Sequence, residues 1–183
     1  SHLHFVSATE YQDRVLQMGE EPWRVIISGA PSLDNLQSIN LLDRGELETH
    51  TGLRLDDNTL LVTYHPVTLE YEDTAWQVKE LLEALLEFSL PVVFTMPNAD
   101  TNGRVITRML EEFVGSNPKA QMVNNLGIQG YFSLMKFASA MVGNSSSGII
   151  EAHSFGLPVV NIGTRQQGRI RGKNVIDVGY GSD

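Results

Sequence analysis

The chain contains no cysteine among its 183 residues. That excludes disulfides, zinc–thiolate sites and thiol catalysis, and it fits a cytosolic, cytoplasmic protein. No apolar run approaches the roughly 20 residues that span a bilayer, and the amino end lacks the basic-then-apolar pattern of a signal peptide. No membrane partner is therefore expected. Positive charge is scarce too: 13 Lys and Arg against 22 Asp and Glu leave a net charge of −9. A nucleic-acid surface needs a basic stripe, so nucleic acid is not an expected partner either. An acidic protein that binds an anion must do so locally, with oriented dipoles and a few placed arginines. The apolar share of 42 % and charged share of 19 % suit one globular domain with a substantial core.

Short apolar runs alternate with helical patterns along the whole chain. Strands are predicted at 3–7, 24–28, 60–64, 92–95, 121–124, 141–143, 159–162 and 175–178. Most are continuously apolar and do not alternate, as strands covered on both faces are. Thr9 with Gln12 reads as a capping box, and Gly19 stands where a helix end needs it. Val78, Leu81, Leu82, Leu85 and Leu86 make one helical face; Ile106, Met109, Leu110 and Phe113 repeat the spacing. Strands joined by crossover helices imply an α/β fold with a doubly wound, mostly parallel, Rossmann-like sheet. Ligands in such sheets bind outside the carboxyl ends of the strands. That rule selects the loops at Ser28-Gly29-Ala30-Pro31, Tyr64-His65-Pro66, Met96-Pro97-Asn98-Ala99-Asp100, the one after Asn124, Gly143 onward, and Gly163-Thr164-Arg165.

The richest of these is Gly143-Asn144-Ser145-Ser146-Ser147-Gly148-Ile149-Ile150-Glu151. A strand ends in small residues and a helix begins, so unpaired N–H groups and serine hydroxyls can hold a phosphate without a lysine. The plainer reading is a serine-capped turn. Gly148 would leave room for close backbone approach. Glu151, about one helical turn on, can accept from ribose hydroxyls, or serve only as a first-turn acid beside the helix dipole. His65, fixed by Pro66, can donate to a leaving oxygen, or merely bond backbone at a strand end. Arg165 can pair with phosphate or sugar hydroxyls. Asn98 can touch the diphosphate or sugar, or simply form a turn. The loop containing Leu126 and Gly127 offers backbone groups to the edge of a planar ligand. His153 and His50 (the latter in a polar loop) read as structural or solvated, Asp100 as a helix-start acid, and Arg169 and Arg171 as facing solvent or a missing lobe. No metal site and no cofactor is expected.

Taken in order, Tyr64-His65-Pro66-Val67-Thr68, Pro97-Asn98-Ala99-Asp100, Gly143 to Glu151 and Gly163-Thr164-Arg165-Gln166-Gln167-Gly168-Arg169 resemble the hydrolysing UDP-N-acetylglucosamine 2-epimerases. Gly29-Ala30-Pro31 and Leu126-Gly127 with Tyr131 extend the likeness through nearly the whole chain. Non-hydrolysing relatives carry Arg-Arg-Glu-Asn after the histidine and Thr-Glu-Arg-Pro-Glu near the last arginine; Pro66-Val67-Thr68 and Gln166-Gln167-Gly168-Arg169 replace them here. The resemblance implies a two-lobed glycosyltransferase-B-type fold, of which residues 1–183 would be the carboxyl-terminal, nucleotide-binding lobe, cut from a longer protein. It implies elimination of UDP, an unsaturated sugar intermediate and hydration to N-acetylmannosamine, for sialic acid or related surface sugars. It makes His65 the catalytic candidate, supports the ribose role of Glu151, and assigns the proton-moving acids to the amino-terminal lobe. Expected partners are thus a UDP-sugar, UDP, that lobe, and copies of the full-length protein in a homo-oligomer. The alternatives are the donor lobe of a UDP-sugar glycosyltransferase and a non-catalytic nucleotide-binding module. A dinucleotide oxidoreductase fits poorly, because the first strand-to-helix turn lacks Gly-x-Gly-x-x-Gly.

Overall fold

The computed structural model describes residues 1–98 and 102–182; the expectation for Asp100 lies outside them. The chain divides into two compact units, residues 1–39 and 40–183.

In the first unit β1 (His4–Val6) and β2 (Val25–Ile27) pair in parallel, His4 opposite Val25, with α1 (Thr9–Gln17) between them in sequence. The expected capping box is absent. Ala8 is the N-cap and caps nothing with its side chain, while the Gln12 amide donates to the Val25 carbonyl at 2.8 Å. A strand carbonyl in need of a donor has taken the group that the local pattern assigned to the helix start. Gly19 does terminate the helix, at φ +97°. α2 (Pro31–Ser38) opens on proline, whose missing N–H is no loss in a first turn.

The second unit starts with α3 (Arg44–Thr51), which carries a reciprocal capping box between Asp43 and Glu46 and ends at left-handed Gly52. His50 therefore sits in the last turn of a helix, not in a loop. There follow β3 (Leu60–Thr63), α4 (Thr74–Phe88), β4 (Val92–Thr95), α5 (Gly103–Ser116), β5 (Ala120–Val123), α6 (Gly127–Phe137), β6 (Ala140–Gly143), α7 (Ser146–Ile150), β7 (Val159–Ile162) and β8 (Val175–Val178). Every expected strand is present, within a residue or two at each end. Six of them form one parallel sheet in the order β5-β4-β3-β6-β7-β8.

From β3 the chain builds outward through β4 and β5, then returns to the other side of β3 and continues through β6, β7 and β8. The winding reverses between β3 and β6, and the crevice of a doubly wound sheet opens there, at the carboxyl ends of those two strands. One face of the sheet buries Leu60, Val62, Val92 and Phe94 under the apolar stripes of α4 and α5, as their 3.6-residue spacing requires. The opposite pleat carries Leu61, Val93, Met141 and Val159, all buried. At roughly 1.5–3 kcal/mol per large apolar side chain, this burial fixes the strand ends that the site uses. Among the described residues, no helix is long and apolar enough to cross a membrane.

Candidate functional site

The site begins where β3 and β6 end side by side. Thr63 pairs with Gly143, which has φ +135°, and a Cβ on that glycine would lie 2.0 Å from the Thr63 carbonyl oxygen. Only glycine permits this approach. The residue after it, Asn144, is fully buried. Its Oδ1 accepts from the His65 N–H at 2.7 Å, and its Nδ2 donates to the His65 carbonyl at 2.8 Å. One amide therefore grips both backbone groups of the histidine across the switch point. The Asn144 carbonyl in turn accepts from the Gln166 amide at 2.8 Å and from the Arg165 guanidinium at 3.1 Å. His65 itself is buried, and its Nδ1 accepts from the Asn98 N–H at 3.0 Å. A neutral imidazole held in this way carries its proton on Nε2. Asn98 acts here through its backbone, while the residue is otherwise exposed.

Ser145 caps α7, its hydroxyl accepting from the Ser147 N–H. The helix has five residues and continues as a 3-10 turn, Ala152–Phe155, to left-handed Gly156. So short a helix sums few peptide dipoles, and the resource for an anion is the set of donors more than the macrodipole. The N–H groups of Ser145 and Ser146 have no partner among the described residues, whereas that of Gly148 already donates to the Ser145 carbonyl at 3.2 Å. Gly148 is buried, and a Cβ there would meet Val159 Cγ1 at 2.9 Å. Packing of the turn onto the sheet is enough to require this glycine. Glu151, one turn beyond Ser147, is only 8 % exposed, and its carboxylate has no hydrogen-bond partner among the described residues. Its carboxylate oxygens stay in contact with solvent, open to donors that arrive from outside.

Leu126 and Gly127 line a cavity of about 160 Å³ with Thr95, Met96, Asn124 and Tyr131. Gly127, at φ +59°, is the first residue of α6, and its N–H is taken by Asn125 Oδ1 at 2.8 Å. The Tyr131 hydroxyl reaches from α6 to Ser147 Oγ at 2.6 Å, joining this cavity to the serine turn. Burial pushes the Tyr131 phenol above its ordinary value, the hydrogen bond with Ser147 opposing that shift. Gly29, the remaining expected contact, lies in the first unit, with φ +78° and open space where a Cβ would stand.

The arginine loop is braced from behind by Glu70, in the 3-10 segment Thr68–Asp73 that follows His65. Thr164 Oγ1 and the Tyr180 hydroxyl both donate to its carboxylate, as does Gln77 Nε2 at 2.8 Å; Gln77 accepts in turn from the buried Tyr64 hydroxyl at 3.0 Å. The Thr164 bond first, then that of Tyr180, hold the Glu70 carboxyl below the usual carboxylate range. Burial pushes the Tyr64 phenol well above its ordinary value. Arg171 does not point to solvent. Its Nε donates to Asp177 at 3.0 Å, and its Nη1 to the Gln166 carbonyl at 2.8 Å, which ties the loop to β8. Arg169 is exposed and His153 meets Asn174 at 3.2 Å.

The structure thus gathers His65, Asn98 and Arg165 around Asn144, and Ser145 and Ser147 in the next residues bond each other and Tyr131, which lines the Leu126–Gly127 cavity. Sequence reasoning missed Asn144, Gln166 and Glu70. The signal for Asn144 was its place between a strand-ending glycine and the serines, where any asparagine also reads as a turn former.

A sheet wound both ways, with its polar loops collected at the point of reversal, puts the chain among the doubly wound α/β proteins. Comparison with known proteins narrows that class. The family model described as UDP-N-acetylglucosamine 2-epimerase matches residues 1–183, and the chain belongs to that family. It is 45 % identical over 179 residues to the GDP/UDP-N,N'-diacetylbacillosamine 2-epimerase (hydrolyzing) of Campylobacter jejuni, covering 97 % of this chain and 47 % of that protein. It is 32 % identical over 180 residues to the UDP-N-acetylglucosamine 2-epimerase of Neisseria meningitidis, covering 98 % and 47 %. The chain spans about half the length of these curated relatives. Among solved structures it resembles a Staphylococcus aureus MnaA–UDP co-structure (TM-score 0.74, 14 % identity, 100 % of this chain and 48 % of that one). A Methanocaldococcus jannaschii UDP-GlcNAc 2-epimerase in complex with UDP-GlcNAc and UDP is similar at TM-score 0.73 and 17 % identity, covering 100 % and 51 %. These likenesses bear out the glycosyltransferase-B-type α/β architecture.

Proposed function

We propose that this chain is the uridine-nucleotide-binding part of a hydrolysing epimerase that acts on a UDP-2-acetamido sugar. The observation that supports the reading is a grouping: Glu151, a largely buried residue whose carboxylate still reaches solvent, lies one turn beyond the serine N–H groups that have no partner among the described residues, and Tyr131 links that turn to a cavity it walls with Leu126 and Gly127. A ribose diol supplies the missing donors, a diphosphate meets the donors of Ser145 and Ser146, and a uracil fills the cavity. Arg165 adds positive charge at the diphosphate. His65 presents its Nε2–H to the oxygen that leaves the sugar, so that UDP departs as the C1–O bond breaks. The base that takes the C2 proton comes from the other lobe of the protein. Water then adds across the resulting double bond, hydroxyl to C1 and proton to C2, and gives the free 2-epimer sugar and UDP.

Two sugars fit. The 45 % identity to a diacetylbacillosamine enzyme favours the 2,4-diacetamido sugar, while the 32 % relative supports UDP-N-acetylglucosamine converted to N-acetylmannosamine for sialic acid or related surface sugars. Incubating the complete protein with each UDP-sugar and no acceptor decides: free epimerised sugar from one of them identifies it, and an inert donor in both cases points to sugar transfer instead. The nucleotide half of the reading is tested by calorimetry with UDP and 2′,3′-dideoxy-UDP. The wild type should prefer UDP, and Glu151→Ala should abolish that preference; equal affinity of the wild type for the two ligands would overturn the ribose assignment.

A further inference from the structure

The serine turn is backed by a row of hydroxyls with no evident structural need for so many. Ser145 Oγ lies 2.8 Å from Ser147 Oγ, which lies 2.6 Å from the Tyr131 hydroxyl. On the strand side, Thr63 Oγ1 is 2.7 Å from Thr95 Oγ1. Each hydroxyl has one proton to donate. Among Tyr131, Ser147 and Ser145, three protons serve two links, so one proton is left over, and the direction of the row decides where. Were the row to run inward, Ser145 would spend its proton on Ser147 and show the open side of the turn only lone pairs. Running outward, Tyr131 donates to Ser147, Ser147 to Ser145, and the Ser145 proton faces the opening.

The chemistry of the phenol selects the outward direction. A phenol is a stronger acid than an aliphatic alcohol, hence the better donor and the poorer acceptor. Ser145 Oγ, with two acceptor sites, can take the Ser147 hydroxyl proton beside the Ser147 N–H that it accepts at 3.4 Å.

We propose that Tyr131 is a positioning residue for the anion: its hydroxyl, acting through Ser147, sets Ser145 as an outward hydrogen-bond donor to a diphosphate. Tyr131 need not touch the phosphate. This rests on the uridine-diphosphate reading above and adds to it the residue that orients the donors. The proposal demands a selective effect. Loss of the phenol hydroxyl should weaken the grip on phosphate far more than the grip on the nucleoside, whereas a structural role for Tyr131 would weaken both alike.

The test uses the complete protein, with UDP and uridine as probes, in the wild type, Tyr131→Phe, Ser147→Ala and the double variant. Tyr131→Phe keeps the ring and its packing. It should lower UDP affinity roughly tenfold, the scale of one charge-assisted hydrogen bond, and uridine affinity far less, because the ring that walls the cavity is kept. Ser147→Ala should do the same, and the double variant should lose little more than either, because both break one row. A wild type that does not prefer UDP to uridine overturns the underlying nucleotide reading. A wild type that does prefer it, with Tyr131→Phe binding UDP equally well, losing both ligands alike, or adding its full effect to that of Ser147→Ala, overturns the positioning role alone.

Discussion

Replacing Asn144 with alanine is the sharpest test of how the crevice is built. The wild-type side chain is fully buried and makes two bonds, 2.7 Å and 2.8 Å, to the N–H and carbonyl of His65. Alanine removes both partners and leaves two backbone groups in the interior with none. Each such group costs about 1–3 kcal/mol, and a water drawn into the space offsets part of that, so we expect a loss of about 3 kcal/mol. For a chain of this size that corresponds to a fall of roughly 6–12 °C in the thermal midpoint. Urea denaturation should show a lower midpoint with an unchanged slope, because the unfolded chain exposes the same surface. Asn144→Asp is the companion variant: the carboxylate still accepts from the His65 N–H but sets an oxygen against the His65 carbonyl, and it should be at least as damaging near neutral pH. If Asn144→Ala costs less than about 0.5 kcal/mol, within the range of an ordinary surface substitution, the clamp does not hold the histidine and the account of the site is wrong.

Three further outcomes are expected. Gly143→Ala places a Cβ 2.0 Å from the Thr63 carbonyl at φ +135°, so it should open the β3–β6 pairing and cost more than the 1–3 kcal/mol of an unfavourable backbone conformation alone; native stability in a melting experiment would refute the close approach. Glu70, ordinarily a carboxylate titrating near 4.5, is held lower by Thr164, Tyr180 and Gln77, so its ionised form stabilises the fold above the ordinary value, and that contribution disappears as pH falls through the lowered one. The gap in thermal midpoint between wild type and Glu70→Gln should therefore be wide at pH 7 and close toward pH 3; a gap independent of pH counts against the bracing. His65→Ala in the complete protein should abolish turnover while UDP binding persists, and unchanged turnover would remove His65 from the chemistry.

The strands could be read from sequence because burial on both faces writes itself into composition: Leu60–Thr63, Val92–Thr95 and Val159–Ile162 are apolar without alternation. The loops could be selected because the carboxyl-end rule depends only on strand order along the chain, and His65, Ser145 and Arg165 do converge. The helix cap at Thr9 was misread because a distant carbonyl, that of Val25, outbid the local partner for Gln12. α3 was missed although Asp43, Glu46 and Gly52 all signal its ends, because it buries only Leu47 and so has almost no apolar stripe to show. Asn144 and Glu70 were invisible for a third reason. Their partners stand 79 and 94 to 110 residues away, and nothing in local spacing records such a pairing.

These long-range bonds also bear on how a chain of net charge −9 would hold the proposed anion. The field of the whole molecule opposes the ligand, so attraction must come from dipoles fixed at short range, and a dipole is useful only if it cannot turn away. Around this crevice each donor is tied by a neighbour that reaches it across the reversal of the sheet. Asn144 holds the histidine, the Asn144 carbonyl holds the arginine, Glu70 holds the arginine loop, and Tyr131 holds the serines. Gly143 makes the first of these contacts possible by letting two strand ends touch. The affinity of the site for a phosphate should accordingly depend less on added surface charge than on these braces. A lysine placed at the exposed Gln167 of the arginine loop should improve UDP binding less than Asn144→Ala impairs it. Calorimetry on the two variants measures that ordering, and the reverse order would show that bulk electrostatics govern the site.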